Sequence, residues 1–412
     1  MTRLAAATVC AVLMLSWAGG QDEDEDSCYG CHLELDPPFS SPAEIFDTDI
    51  HAQEGLSCAG CHGGDSQAWD YDEAKDPATG FIGKPEGRAI IDMCAGCHSD
   101  PGAMRRYNPN LPTDQEIKYW TSGHGQALAA GNRTAAQCSS CHGTHGIKRI
   151  GDPGSKVYPP NVATTCAQCH ADADLMAPAE LPHDIVEMYV GSVHGAAIDR
   201  GDLAAPTCNT CHGNHGAAPP DIGSIQDVCG LCHPNNQRLF NETRMRKMFT
   251  GKGLHGCAVC HTAHDIQKVS EAMVGMGPGR VCSGCHELGD PGAIQAVQIS
   301  TVLDSLNGAL AQAREGLDAA ETRGLGVEGI YADLQSAQTA LIQSRTQVHT
   351  FDAVAVRAEA QPGFINAAAA VVEANRLLED FRRRKVGLGI ATILITFLVV
   401  TLFLYIRTMD DA

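Results

Sequence analysis

The chain has little positive charge for its length. Its 412 residues include 29 lysines and arginines against 49 aspartates and glutamates, which gives a formal net charge of -20 at pH 7. A protein with this balance repels the phosphate backbone, so nucleic acid is excluded as a partner. The same charge would steer the chain towards a partner that presents a basic docking face.

The chain also lacks cysteines outside one repeated pattern. Of its 19 cysteines, 18 lie in nine copies of the pentapeptide Cys-x-x-Cys-His, and the remaining one is Cys10. No cysteine is therefore left in the rest of the chain for a structural disulfide or a thiol nucleophile. The nine motifs begin at Cys28, Cys58, Cys94, Cys138, Cys166, Cys208, Cys229, Cys257 and Cys282.

This pentapeptide is typical of covalent haem attachment. Its two cysteines form thioethers with a c-type haem, and the histidine that follows binds the iron. Composition alone would give about 0.04 chance matches in this chain, against the nine that occur. Zinc knuckles and thioredoxin-like pairs also use Cys-x-x-Cys, but neither needs the adjacent histidine. The sequence therefore predicts nine covalently attached haem c groups.

Each haem has two predicted attachment cysteines and one proximal histidine. The second cysteines of the motifs are Cys31, Cys61, Cys97, Cys141, Cys169, Cys211, Cys232, Cys260 and Cys285. The proximal ligands are His32, His62, His98, His142, His170, His212, His233, His261 and His286. Nine other histidines remain, one for each iron: His51, His124, His145, His183, His194, His215, His255, His264 and His349. This count predicts histidine at both axial positions of every iron, without the methionine that raises the haem potential.

An internal repeat supports most of the second ligands. Residues 111–146 align with residues 181–216 without a gap, and 16 of the 36 positions are identical. Each copy has a spare histidine before its first motif and another three residues after the proximal histidine. Weaker copies surround the motifs at Cys58 and Cys257, the first with Asp65 in place of its second histidine. Each copy is followed by a Cys-x-x-Cys-His motif that has no second histidine three residues later, which we call a plainer motif; these begin at Cys94, Cys166, Cys229 and Cys282. The pattern therefore predicts four two-haem repeat units behind one leading haem.

Two of the spare histidines lack support from the repeat. His183 stands where the other copy has Thr113, and His349 lies beyond the haem region. Both are predicted to be ligands because nine irons need nine partners. If either is not a ligand, one haem would take a methionine such as Met245 or Met248, or would keep an open iron.

The His-x-x-His spacing limits which iron the second histidine can reach. At helical spacing the second ring lies on the same side of the local helix as the first. It cannot reach the opposite face of the same porphyrin, so His145, His215 and His264 are each expected to ligate a neighbouring haem. A histidine that follows the motif of one haem and binds the iron of another would hold the two haems close together.

Beyond Asp290 the apolar residues recur every three or four positions, which predicts packed helices. The predicted seams are Leu303, Leu306, Leu310, Ala313, Leu317 and Ala320, and then Ile330, Leu334, Ala337, Leu341, Ser344, Val348 and Phe351. A turn is expected at residues 324–326, and Pro362-Gly363 predicts a break before a third helix that begins near Phe364. The expected arrangement is an antiparallel helical hairpin on a membrane stalk, with a passive spacer as the alternative. His349 is predicted to point away from the seam.

Apolar runs at both ends indicate export and anchoring. Residues 1–20 have the basic start, apolar run and small residues of a secretory signal peptide. Residues 386–406 carry no charge and form about 31 Å of helix, enough to cross a bilayer core. The predicted domains are the signal peptide 1–20, the nonahaem domain 21–289, the helical hairpin 290–385, the transmembrane helix 386–406 and a cytoplasmic tail 407–412. The haem domain is expected on the periplasmic side of the inner membrane, although Arg382 to Lys385 would then oppose the positive-inside tendency.

One haem per about 29 residues leaves no room for a conventional core, so we expect a mainly α, haem-packed fold with little sheet. The motifs Ser-x-His-Gly and Cys-x-x-Cys-His-Gly-x-His-Gly resemble those of bacterial multihaem cytochromes c, over about residues 28–286. The resemblance implies low-potential bis-histidine haems and electron relay from quinol oxidation at the membrane to periplasmic electron carriers. The C-terminal hairpin and anchor differ from the family members that are anchored at their N-terminus. A C-terminal anchor favours a subunit role beside a separate quinol-oxidising or cytochrome b type partner.

A multihaem redox enzyme is the alternative function. Multihaem nitrite reductases resemble the chain in haem density, but their catalytic haem commonly has lysine as the proximal ligand. No Cys-x-x-Cys-Lys occurs here. Octahaem hydroxylamine oxidoreductases keep the histidine motif, so this test does not exclude them. An electron carrier is favoured because no catalytic residue is evident and a carrier needs no free coordination position.

The nine intact motifs predict nine covalent haems in the mature chain. Intact-mass measurement of the exported protein, after signal peptide removal, should show the polypeptide mass plus nine haem groups. A mass with fewer haems in fully matured protein would mean that at least one motif does not attach haem.

Overall fold

The computed structural model describes residues 26–217 and 225–410. The predicted signal peptide and Cys10 lie outside the described residues. Every regular element in the described part is a helix, which confirms the mainly α fold. The described residues divide into two compact units, residues 26–181 with 213–217, and residues 182–212 with 225–410.

The first unit consists of short helices joined by turns. Its α-helices are Ser27–Leu33, Ser41–Glu44, Ile50–Gln53, Ala59–His62, Tyr71–Ala74, Arg88–His98, Pro101–Tyr107, Gln115–Thr121, Gly123–Ala129, Cys138–His142, Pro159–His170 and Ala173–Met176. Its 3-10 turns are Phe46–Thr48, Pro77–Thr79 and Ala177–Ala179. Many of these helices start at an aspartate or serine whose side chain accepts a first-turn N–H, as Asp49 and Ser122 do.

The second unit continues this pattern and then changes to long helices. Its short α-helices are Ile185–Val190, Val193–Asp199, Cys208–His212, Pro234–Asn241, Arg244–Gly251 and Ala258–His261. Its 3-10 turns are Ile225–Leu231, Glu271–Met273, Val281–Gly284 and Val348–Thr350. Three long helices follow, Pro291–Glu321, Glu328–Gln347 and Ala353–Asp410, and we call their packed part the bundle.

The largest apolar core of the described residues lies in the bundle. The first predicted seam is buried along its whole length, from Leu303 to Ala320, and the second is buried from Ile330 to Ser344. The second helix ends at Gln347, earlier than the seam predicted, because Phe351 adopts a left-handed conformation with φ of 56°. The heptad prediction is therefore confirmed for the first helix and for most of the second.

The predicted break at Pro362-Gly363 is wrong, because Pro362 lies inside the helix Ala353–Asp410. Proline in a helix interior costs about 3 kcal/mol or more through a lost hydrogen bond and a steric clash. Buried alanines on both sides of Pro362, such as Ala360 and Ala367, hold the helix in place. A methyl group on Gly363 would come within 3.0 Å of Leu306 and Ala340, so the glycine lets all three helices approach closely.

The bundle therefore has three helices, whereas the sequence predicted a two-helix hairpin on a separate stalk. The N–H of Ala353 donates to Gln295 Oε1 at 2.8 Å, and Gly316 packs against Ala374 further along. The first and third helices thus run in the same direction, and the second runs back between their ends. The 34 residues from Ala353 to Val386 correspond to about 50 Å of helix.

The third helix continues without interruption into the uncharged segment. It is the one described helix that is long and apolar enough to cross a membrane, and its most apolar stretch is unburied. Large apolar side chains such as Leu388, Phe397 and Leu404 are more than half exposed there. Because such a surface is unfavourable in water, this segment is a candidate membrane anchor.

Truncation before Arg382 should release a soluble haem protein from the membrane. The last fully buried bundle residue is Ala374, so the packed helices should remain folded without the apolar segment. Membrane fractionation and the helical circular dichroism signal check this. A truncated protein that stays in the membrane fraction would contradict the single-anchor prediction.

Candidate haem-binding sites

The proximal histidines of the repeat units lie at helix ends. The helices Ala59–His62, Cys138–His142, Cys208–His212 and Ala258–His261 each stop at the histidine of their motif. The next residue has positive φ in every case: Gly63, Gly143, Gly213 and Thr262. Glycine adopts this conformation without strain, and Thr262 is the one exception among the four. The helical His-x-x-His geometry expected from the sequence is therefore wrong, because the second histidine follows a turn.

Six pairs of imidazole rings face each other at one common spacing. Their ring centroids lie 6.0 Å apart for His62 and His145, 6.2 Å for His142 and His215, 5.9 Å for His212 and His264, 6.0 Å for His261 and His349, 6.0 Å for His51 and His98, and 6.0 Å for His124 and His170. A metal–imidazole bond is about 2.0 Å, so two imidazoles on opposite sides of one metal have centroids about 6 Å apart. The pairs thus fit a haem iron between their rings.

The six pairs fall into two geometrical classes. Four are stacked, with interplanar angles of 17° for His62 and His145, 17° for His142 and His215, 14° for His212 and His264, and 22° for His261 and His349. The first three of these join a proximal histidine to the second histidine of the following His-x-x-His sequence. The other two pairs are His51 with His98, inclined at 81°, and His124 with His170, inclined at 54°. Each joins the spare histidine before the first motif of a repeat unit to the proximal histidine of the plainer motif in the same repeat unit.

Hydrogen bonds orient several of these rings. Nδ1 of His62 lies 2.8 Å from the carbonyl of Gly83, and Nδ1 of His349 lies 2.8 Å from the carbonyl of Thr346. A carbonyl only accepts, so Nδ1 must carry the proton. Nε2 then keeps its lone pair for a metal, as metal-binding histidines require.

Two carboxylates orient rings in the same way, and the sequence analysis missed both. Asp49 Oδ1 lies 2.9 Å from Nδ1 of His51, and both carboxylate oxygens of Asp290 lie 3.1 Å from Nδ1 of His286. Their spacing in sequence, two and four residues from the histidine, was the available signal. Asp290 also accepts the N–H of Ala293 at 2.7 Å and so caps the first bundle helix.

Burial disfavours the charged form of eight of the paired rings. It is the main cause that lowers the pKa of His98, His124, His142, His145, His170, His215, His261 and His349. A nearby imidazole adds to the effect in most of them, because two cationic rings would repel each other. Neutral imidazole is the form that binds metals, so this environment suits the proposed ligands.

Motifs that are neighbours in sequence also lie near each other in space. The thiols of Cys94 and Cys138 share a hydrogen bond, which raises the pKa of Cys94 and lowers that of Cys138. The thiols of Cys229 and Cys257 share one too, and it lowers the pKa of Cys229 to about 7. These contacts join the last motif of one repeat unit to the first motif of the next repeat unit.

Within a repeat unit, the second cysteine of the first motif approaches the motif that follows. Burial and then the charge of Cys282 and Cys285 raise the pKa of Cys260 to about 11. Burial, followed by neighbouring groups that include Cys169, likewise raises the pKa of Cys141. The described cysteines form no disulfide.

Six histidines form no ring pair in the part of the chain that the structure describes. They are His32, His183, His194, His233, His255 and His286. His194 is still near His233, whose charge adds to burial in lowering the pKa of His194. His183 is exposed. Nε2 of His255 lies 3.3 Å from the carbonyl of Ile225, so this ring points its Nε2 at backbone.

Comparison with known proteins gives partial matches in the haem region. Residues 50–171 match the cytochrome c3 family. The chain is 28% identical over 145 residues to cytochrome c-type protein NrfB of Haemophilus influenzae, covering 29% of this chain and 63% of that one. It is 26% identical over 165 residues to C-type polyheme cytochrome OmcC of Geobacter sulfurreducens, covering 35% and 20%.

A third relative belongs to an oxidase. The chain is 28% identical over 168 residues to the Cbb3-type cytochrome c oxidase subunit FixP of Azorhizobium caulinodans, covering 39% of this chain and 48% of that one. The chain thus spans between a fifth and under two thirds of these three relatives. No solved structure matches it. The family match and the relatives, together with the repeated motifs, identify the chain as a multihaem cytochrome c.

Proposed function

We propose that this cytochrome relays electrons through nine bis-histidine haems, from a quinol-oxidising membrane partner to periplasmic carriers. The observation that carries the proposal is the set of stacked pairs between successive units. In each pair the two rings come from different repeat units and lie 5.9–6.2 Å apart. One iron between them would tie two units together.

The pairing supports a row in the order of the sequence. His62 faces His145 of the next unit, and His142 faces His215 of the unit after that. The thiol contact between Cys94 and Cys138 spans the same unit boundary. Haems attached at these positions would therefore lie next to their neighbours in sequence, which is the arrangement that electron hopping needs.

Bis-histidine ligation favours a carrier over a catalyst. When bound, haem supplies one-electron chemistry at its iron. The residues of this chain would fill both axial positions, so no position remains for a substrate. The same ligand set, without methionine, keeps the haem potential low. His255 is included because of its position in the repeat, and His183 is included only because nine irons need nine distal partners.

The membrane role rests on the anchor and the relatives. Residues 386–406 contain no histidine and no charged residue, so this chain offers no haem ligand within the bilayer. Quinol oxidation there would need another protein, for example one of the cytochrome b type. FixP is an oxidase subunit by name, which supports a subunit role for this chain too. We place the haem domain on the periplasmic side, where c-type haem is attached.

One observation favours catalysis as the second candidate function. The exposed position of His183 would leave one iron without a distal ligand if this histidine does not bind. An open iron could then take nitrite or hydroxylamine, as in the enzyme classes that the haem density resembles. The two functions differ in the coordination of a single haem.

Low-temperature electron paramagnetic resonance of the oxidised full chain should show only low-spin haem. All nine irons would then have two strong axial ligands. A high-spin signal that changes when nitrite or hydroxylamine is added would instead support the enzyme. His183→Ala provides the matched comparison, because a new high-spin signal in this variant would establish His183 as a ligand.

A further inference from the structure

We propose that the bundle takes the place of a fifth repeat unit, with His349 as the distal ligand of the haem attached to Cys257 and Cys260. This proposal rests on the electron relay and deepens it. In the first three repeat units, the proposed distal ligand of the first haem comes from the repeat unit that follows. The fourth unit has no such successor, because the last motif, at Cys282, has no His-x-x-His sequence after it.

The geometry of His349 matches that of the repeat-borne ligands. Its ring lies 6.0 Å from that of His261 at an angle of 22°, against 5.9–6.2 Å and 14–17° for the three pairs between units. The two pairs that join a spare histidine to a plainer motif are inclined far more steeply, at 81° and 54°. His349 thus reproduces one specific class of contact.

The end of the second bundle helix holds the ring in this position. The helix stops at Gln347, and His349 lies in the 3-10 turn Val348–Thr350. The carbonyl of Thr346 fixes Nδ1 at 2.8 Å, which leaves Nε2 for the iron. Phe351 closes the turn in a left-handed conformation, with φ of 56°.

Two contacts hold this turn against the segments on either side of the motif at Cys257. The ring of Phe351 packs edge-on against Phe240 at 6.3 Å. Arg345 Nε donates to Glu271 Oε1 at 2.9 Å, and Glu271 is only partly exposed. These contacts come from segments on either side of the motif at Cys257, so the turn is docked beside His261. A passive spacer would need neither contact.

The test is His349→Ala in the full-length holoprotein. One haem should become high-spin in electron paramagnetic resonance while the others stay low-spin, and added imidazole should restore the low-spin signal. Thr350→Ala is the control, because it alters the same turn without removing the ligand, and its spectrum should match the parent. An unchanged spectrum in His349→Ala would overturn the proposal.

A second variant identifies the iron. In a Cys257→Ala, Cys260→Ala background, which lacks the haem in question, His349→Ala should add no high-spin signal. A signal that persists there would place His349 on another haem and overturn the assignment. If this background does not accumulate, His349→Met in the intact chain should raise the midpoint potential of one haem, and unchanged midpoints would count against the proposal. A high-spin site in the parent protein would instead contradict the relay itself, so the two failures are distinguishable.

A different observation carries a second proposal. We infer that Asp49 is a positioning residue that lowers the potential of the haem attached to Cys94. Asp49 is 4% exposed, and its carboxylate lies 2.9 Å from Nδ1 of His51 and accepts the N–H of Ile147 at 2.9 Å. His51 faces His98, the proximal histidine of that haem. A carboxylate partner makes the imidazole more basic, which favours ferric iron.

The other repeat copies lack this contact. Ser122 and Ser192 stand at the equivalent position in the copies at Cys138 and Cys208, and Gly253 stands there in the copy at Cys257. Ser122 uses its hydroxyl to donate to the carbonyl of Tyr119 at 2.6 Å and to accept the N–H of Gly125 at 3.0 Å. Its histidine, His124, therefore receives no carboxylate. The haem paired through His51 should have a lower midpoint potential than the one paired through His124.

Spectroelectrochemical titration of two reciprocal variants tests this. Asp49→Ser should raise one midpoint potential, and Ser122→Asp should lower a different one, while both proteins keep the low-spin spectrum of the parent. A merely structural role for Asp49 would leave the midpoints unchanged. Unchanged midpoints in both variants would overturn the proposal, and Ser122→Asp decides alone if Asp49→Ser does not assemble.

Discussion

The arrangement of the haem region depends on one interaction, the facing of two imidazoles from different parts of the chain across one iron-sized gap. Short helices such as Cys138–His142 bury little apolar surface, and they could not hold a stable fold alone. Pairs such as His142 and His215 link one repeat unit to the next. Metal–ligand bonds at these pairs would supply the stabilisation that a conventional core gives other proteins.

The candidate ligands could be named from the sequence, but most of the ring pairs could not. The adjacent histidine of each motif and the repeat identified which side chains could bind iron. The sequence also indicated that His145 must serve a neighbouring haem. It predicted this from a continuous helix, whereas the chain turns at Gly143 with φ of 96°. That His145 ligates a neighbouring haem stays a prediction, and the pairing of its ring with His62 of the preceding repeat unit agrees with it.

Heptad periodicity predicted the bundle core well, because buried positions such as Leu306 and Ile330 must recur with the helical period. It failed at Pro362, where packing on both sides outweighs the local preference of proline. The positions of Asp49 and Asp290 could not be inferred either. A carboxylate near a histidine in sequence reaches its Nδ1 only if the backbone turns correctly, which depends on tertiary contacts such as that of Asp49 with Ile147.

The bundle sets a physical condition on electron entry. His349 and Asp290 lie near the end of the bundle where the third helix begins, and the uncharged segment starts about 50 Å further along that helix. The haem held by His261 would therefore stand well away from the bilayer. A donor confined to the membrane could not reach this haem in one step. In the proposed relay, electrons would reach this haem through a partner with its own redox group outside the bilayer, or through other haems of the chain. The acidic surface of the cytochrome would attract such a partner through a basic face.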